Sequence, residues 1–172
     1  MLIRRSHDDE SATIRAVHAE AFRDKDKPDV EPIEAPLVDQ LRESGAWLPP
    51  LSLVAVDGEE IIGHVVCTRG TVGTVPALGL GPIGVLPSRQ GTGVGNALMH
   101  AVVAAADALD EPLIALLGEP KFYGRFGFVT STEHGIEPPE AAWGAYFQVR
   151  TLEAHRPEIT GTFRYAEPFE RL

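Results

Sequence analysis

Apolar and polar positions along the chain recur with one of two periods, and the switches between them mark out elements. Met1 to Ser6 reads as a first strand, with Arg4 and Arg5 near its end. Asp8 or Ser11 can cap a helix running to about Phe22, whose apolar stripe is Ile14, Val17 (or His18) and Ala21. Residues 23–32 are charged, carry Pro28 and Pro32, and read as a mobile loop. A second helix is expected from near Glu34 to Gly45, with Leu37, Val38 and Leu41 facing inward. Leu51 to Val56, the Asp57-Gly58 turn and Ile61 to Thr68 form the pattern of a hairpin. Thr71 to Pro76 turns the chain into an apolar strand, Leu80 to Leu86. Within that strand Pro82 has no amide to donate to a ladder and Gly81 precedes it, which predicts a bulge or an interrupted pairing.

The period then changes abruptly. Pro87 stops the strand, glycines alternate at 91, 93 and 95, and Val94, Leu98, Val102, Ala105 and Leu109 fall on one helical face. A strand, a glycine turn and a helix follow one another. The first amides of a helix have no internal partner, and the helix dipole makes that end attractive to anions. Glycines permit positive φ and let a bulky anion approach the main chain. The expected occupant is a phosphate or pyrophosphate, although a plain tight turn would use glycine too. A P-loop needs Lys-Ser or Lys-Thr after its last glycine, and Asn96-Ala97 stands there instead. The dinucleotide fingerprint fits loosely, with Asn96 in place of its last glycine.

Beyond the helix, Leu113 to Leu117 reads as a short strand, followed by Phe122-Tyr123-Gly124-Arg125-Phe126-Gly127-Phe128. Thr130 to Ala142 is a polar loop with Pro138-Pro139, and Ala145 to Leu152 reads as a further strand. Ile159, Gly161, Phe163 and Tyr165 alternate well enough to add one more, at an edge. The predicted architecture is α/β (α+β): a mixed, mostly antiparallel sheet with helices on both faces. It is expected to form one domain over 1–172, with 153–172 as a C-terminal extension.

Gln90-Gly91-Thr92-Gly93-Val94-Gly95, preceded by Val85-Leu86-Pro87, resembles the Q/R-x-x-G-x-G/A signature of the GNAT-type N-acetyltransferases. Tyr123, Gly127 and Phe128 match the Tyr-x-x-x-Gly-Phe that the family carries one helix and one strand later. The resemblance covers roughly residues 1–152. It implies that Gln90, Gly91, Thr92, Gly93, Val94, Gly95 and Asn96 bind the pyrophosphate of acetyl-coenzyme A. It also implies that the pantetheine arm pairs with the strand at Ile83, Gly84 and Val85, and that Tyr123 serves the leaving thiolate. The first two helices and their loop would cover the acceptor side. Where most relatives have Asn-x-x-Ala, this chain runs Gly118-Glu119-Pro120-Lys121, which departs from the family's contact to pantetheine. The run from Leu117 to Phe128 is similar to a bacterial subgroup whose acceptors are mostly unassigned.

Composition adds bounds. The 172 residues suffice for a full core, and shares of 44% hydrophobic and 23% charged are those of an ordinary globule. A net charge of −10 argues against a general nucleic-acid binder and is compatible with a cationic acceptor. Coenzyme A is itself polyanionic, so Arg89, Lys121 and Arg125 are the basic residues to expect near it. Charges at Arg4, Arg5, Asp8 and Asp9 interrupt any signal-like start, and no apolar run is long enough for a membrane span, so a cytoplasmic location is expected. The single Cys67 rules out an internal disulfide, reads as core, and gives no support to a cysteine metal site; no metal is expected.

Acetyl transfer to an amine needs a base, an oxyanion donor and help for the leaving thiolate. Tyr123 is the candidate for the last, and a backbone N–H near Val85 for the oxyanion. Residues 77–86 contain no acid, so the base is left among His64, Glu31, Glu34, Glu119 and water. By elimination the acceptor pocket falls to the 23–36 loop with its following helix, the 130–144 loop and the start of the 145–152 strand, contributing Glu31, Glu34, Trp143 and Tyr146. The expected acceptor is a small-molecule or peptide amine, with neither nucleic acid nor membrane as partner and a homodimer left open. Two rivals stand beside this reading: a non-catalytic acyl-coenzyme A binding module, and a nucleotide-binding oxidoreductase using Glu119 as its ribose acid.

Overall fold

The computed structural model describes residues 1–172, Met1–Leu172. Strand β1 (Leu2–Arg5) pairs antiparallel with β2 (Trp47–Asp57), which pairs with β3 (Glu60–Val72), which pairs with β4 (Val75–Val85). The sheet continues through β5 (Leu113–Leu117), parallel to β4, to β8 (Phe147–Thr151) and β6 (Val129–Thr130). Helices α1 (Ser11–Ala21) and α2 (Glu34–Glu43) cover one face and α3 (Val94–Ala108) the other. The period-two alternation on β2 decides this: Leu53 and Ala55 pack with Leu98, Met99 and Val102 of α3, while Val54 and Val56 pack with Ile14 and Val17 of α1. The arrangement is the mixed, mostly antiparallel sheet read from the sequence, not the doubly wound parallel sheet of a nucleotide-binding oxidoreductase. No helix is long and apolar enough to cross a membrane.

Several boundaries differ from the sequence reading for definable reasons. The cap before α1 is neither Asp8 nor Ser11. His7 precedes a 3-10 turn, Asp8–Glu10, and its N–H donates to the Glu10 carboxylate at 2.7 Å. Strand β2 begins at Trp47, across Pro49-Pro50, because its ladder skips from the Trp47–Thr68 pair to the Ser52–Val66 pair where the prolines have nothing to donate. The β3–β4 connection is a tight turn at Gly73, with φ +57°, so β4 starts at Val75 rather than after a longer bend. Residues 141–146 form a 3-10 turn broken at Gly144, and β8 starts at Phe147.

Two features shape the opening in the sheet. Strands β4 and β5 pair only at Leu78–Ile114 and Gly79–Ala115, although β4 continues to Val85. Past Gly79 they diverge. The expected irregularity at Gly81-Pro82 is a shift between the Val65–Ile83 and Cys67–Leu80 pairs. The C-terminal segment then closes the open end: β9 (Gly161–Arg164) pairs with β3 at Val72–Phe163 and parallel with β7 (Ile136–Glu137). The helix α5 (Glu167–Glu170) follows it, and Phe169 packs on Leu37 and Leu41 of α2.

A buried polar chain crosses the α1 face. His18 Nε2 and His64 Nδ1 lie 2.8 Å apart, His64 Nε2 is 2.9 Å from Ser52 Oγ, and Ser52 Oγ is 2.7 Å from Ser6 Oγ. Burial penalises the imidazolium form, lowering His18 to about 4 and His64 well below the ordinary histidine value. Both rings are therefore neutral in the fold, whereas the unfolded chain protonates them below about pH 6.5. Stability is full above that pH and falls as acid is added down to the folded value, by about 3 kcal/mol for His18 alone between pH 7.5 and pH 4. Urea unfolding at the two pH values checks this. Equal stabilities would mean the pair is not sealed from protons.

Candidate active site

The turn between β4 and α3 is built by its glycines. Gly91 and Gly93 have φ of +74° and +93°, in the left-handed region where Cβ-bearing residues are strained. A Cβ on either would meet nothing within 4 Å, so the turn is open to solvent above both. The Gln90 side chain reaches back to the Val85 carbonyl at 3.0 Å, and Thr92 donates its hydroxyl to the Arg89 carbonyl, pinning the turn to the end of β4. The first helical bond of α3 runs from Ala97 N–H to Gly93 O at 3.0 Å. Before it, the successive amides of Gly91, Thr92, Gly93, Val94, Gly95 and Asn96 donate to no acceptor of the chain. This is a nest of donors at the positive end of a helix dipole.

Charge around the turn is distributed differently from the sequence reading. Arg125 stands over it, with Nη2 3.2 Å from Asn96 Oδ1 and the guanidinium stacked on Phe122 at 4.8 Å. Lys121 is exposed and makes no ion pair. Arg89 is turned away: it bonds Asp57 at 2.6 Å and reaches Glu60 at 3.4 Å, across the β2–β3 turn. Two acids already occupy its donors, so Arg89 adds little local positive charge at the turn.

Where β4 and β5 part, a cavity of about 1030 Å³ lies between them. One side of it is backbone and apolar side chains of Leu80, Gly81, Pro82 and Ile83, facing Leu116 and Leu117. Tyr123 stands at its edge, at the end of α4 (Pro120–Tyr123), which Glu119 caps by accepting the Lys121 N–H at 3.3 Å. The position of the Tyr123 ring depends on Gly118, since a Cβ there would lie 2.2 Å from Tyr123 Cε2. The ring also meets Phe122 edge-on at 4.8 Å and Phe128 at 6.1 Å. Burial raises its phenol above the ordinary value, so it is a neutral donor at pH 7.

The far side of the cavity comes from three places. Phe22, Ile33, Glu34 and Leu37 belong to the α1–α2 region, and Pro139, Glu140 and Trp143 to the loop before β8. Phe163, Tyr165, Phe169 and Leu172 belong to the C-terminal segment. Of the acceptor-side residues expected from sequence, Glu34 and Trp143 line this cavity. Glu31 and Tyr146 do not. Arg15 holds Glu31 at 2.6 Å on the outer surface of the helices, and Tyr146 points outward at 55% exposure. Among the candidate bases, His64 is sealed in the chain between His18 and Ser52, and Glu119 is engaged as a cap. The sequence reading missed Tyr165 and Phe169; the only signal was the density of aromatic residues at 163, 165 and 169 in a tail otherwise rich in charge.

A family model described as an acetyltransferase (GNAT) domain matches residues 2–130. The chain belongs to the GNAT acetyltransferases. Among its relatives in the family is the N-acetyltransferase YhbS of Escherichia coli K12, 30% identical over 143 residues that make up 81% of this chain and 84% of YhbS. The crystal structure of E. coli YhbS in complex with CoA superposes with a TM-score of 0.88 at 27% identity, covering 99% of this chain and 92% of that one. A GNAT acetyltransferase from Brucella melitensis, solved with acetyl-CoA, gives a TM-score of 0.76 at 31% identity over 98% and 97% of the two chains. The likeness to YhbS thus extends through the C-terminal segment, beyond the part matched by the family model.

Proposed function

We propose that this GNAT acetyltransferase moves an acetyl group from acetyl-coenzyme A directly to an amine held in the same cavity. The observation that carries the reading is the run of free amides from Gly91 to Asn96 just past the end of β4, the strand whose Leu80 to Ile83 stretch walls the cavity that Tyr123 also lines. The pyrophosphate would take those amides, with Arg125 beside it. The pantetheine arm would lie along β4 past Val85 and Ile83, where β5 has diverged and left that side of the strand without a partner strand. The complexes of YhbS with CoA and of the Brucella protein with acetyl-CoA support the same choice of ligand.

The chemistry needs one new bond and one broken bond. The amine lone pair attacks the thioester carbon, the C–S bond breaks, and the amine proton leaves as the amide forms. An alkylamine of pKa about 10.4 is neutral in only roughly one molecule in 2,500 at pH 7, and removing its proton costs about 4.6 kcal/mol. Glu34 is the one carboxylate among the candidate bases that lines the cavity, and it is assigned the proton. Tyr123 donates a hydrogen bond to the departing thiolate, which ends as the thiol of free coenzyme A.

Calorimetry should find acetyl-coenzyme A binding and no NAD binding, and free thiol should appear only when an amine is added. Binding without amine-dependent thiol release would make the protein a non-catalytic acyl-coenzyme A module; NAD binding alone would overturn the reading. Glu34→Gln should lower kcat/KM for amines by about 10- to 100-fold, with the largest loss at neutral pH and a smaller one near the amine pKa. A loss equal at all pH values would give Glu34 a packing role instead.

A further inference from the structure

The acceptor side of the cavity has a chemical character of its own. Its wall is aromatic: Tyr165 meets Phe163 at 4.9 Å and Phe169 at 4.7 Å, with Trp143 6.4 Å away. Tyr165 lies against the main chain at Gly79, where a Cβ would come within 2.7 Å of its ring. Gly79 is the last residue of β4 paired with β5, so this ring forms the floor of the cavity at the point where the strands part. Phe22 and Leu37 add apolar surface to the same cavity.

Charge within the cavity is one-sided. Arg164 is the only basic residue lining it, and Glu170 holds that guanidinium at 3.0 Å. Glu34 and Glu140 line the cavity and make no ion pair. No asparagine or glutamine lines it, so the neutral polar side chains available to a guest are the hydroxyls of Thr162, Tyr123 and Tyr165 and the indole N–H of Trp143. A guest rich in hydroxyls or amides would leave its polar groups unmatched against the aromatic wall, at a cost in affinity. A guest bearing a carboxylate would meet the two unpaired glutamates.

We infer that the acceptor is a primary amine carried on an aromatic or comparably bulky apolar body and lacking a carboxylate, recognised by Tyr165, Phe169 and Trp143 of the C-terminal half. The inference rests on the acetyl-transfer reading and narrows it. The ammonium end is drawn to Glu34 and Glu140 while the ring is buried against the aromatic wall.

The test is calorimetry of phenethylamine, ethanolamine and phenylalanine, each titrated into the full chain saturated with coenzyme A. Burial of a phenyl ring predicts that phenethylamine binds at least about tenfold more tightly than ethanolamine. The unpaired glutamates predict at least about tenfold over phenylalanine. Phe169→Ala and, separately, Trp143→Leu should each reduce the first ratio at least about threefold while leaving coenzyme A affinity unchanged; Trp143 is partly exposed, which keeps that variant foldable. Preference below tenfold in either comparison, including no binding by any of the three, overturns the inference. If coenzyme A binds and the preference is absent, only the acceptor class fails. If coenzyme A itself does not bind, the acetyl-transfer reading falls with it.

Discussion

Replacing Gly93 with valine should weaken acetyl-coenzyme A binding by about 100-fold or more, the largest effect expected of any single change to this protein. Gly93 is the residue before α3 and has φ +93°. A β-branched residue there is strained by about 1–3 kcal/mol, and relief of that strain rotates the neighbouring amides out of their common direction. The added side chain has no chain atom within 4 Å of its Cβ, so it occupies the space above the amides that the pyrophosphate needs. Strain and obstruction act together. The apolar face of α3, from Val94 to Ala106, remains buried against the sheet, so the variant should fold with a modest loss of stability. Calorimetry checks the affinity and thermal unfolding the fold; an affinity within threefold of the parent would remove the turn from the binding site.

Tyr123→Phe should lower kcat about 100-fold with acetyl-coenzyme A affinity unchanged. The ring is held by Gly118, Phe122 and Phe128, all of which phenylalanine satisfies equally. Its hydroxyl makes no hydrogen bond within the chain, so removing it leaves no partner stranded. What is lost is the donor to the leaving sulfur. General-acid assistance is worth about 10²–10⁴-fold, and a thiolate leaves readily enough to place the expectation at the low end. Because burial raises this phenol, any loss of activity from its ionisation belongs above about pH 10. Single-turnover measurements isolate the acetyl-transfer step. An unchanged rate there would return Tyr123 to packing.

These expectations depend unequally on sequence and on structure. The strand, glycine turn and helix from Leu80 to Leu109 could be read in the chain because each part is local. Periodicity of two or of 3.6 depends on near neighbours, and a positive φ is a property of one residue at a time. The irregularity at Gly81-Pro82 could be read from its missing donor, but it falls in the β3–β4 ladder, and the splay between β4 and β5 has no local signal of its own. The helix faces were readable for the same reason: Ile14, Val17, Leu37, Val38 and Leu41 are buried where their spacing puts them.

Partner choice was not local, and there the sequence misled or was silent. Arg89 sits in the phosphate turn by sequence, but the β2–β3 turn brings Asp57 and Glu60 to it, and short ion pairs win over a position shared with a diffuse anion site. Glu31 was placed toward the acceptor by its loop, yet α1 carries Arg15 alongside and holds it outside the cavity. His64 looked like a free base on a strand until α1 laid His18 against it, 46 residues away in sequence, and sealed both from protons.

The sequence by itself determined the strand–turn–helix frame and most of its helix faces, because these follow from intervals of a few residues. Leu109, read onto the face of α3, is instead the residue past the helix end and exposed, and Gly95 lies within the first turn of the helix. Only the tertiary structure decided which charges remain free and which residues wall the cavity. The pairing of β9 with β3 joins residues about ninety apart. That long-range closure carries Tyr165 and Phe169 to the mouth of the sheet, and no local pattern specifies where a tail will dock.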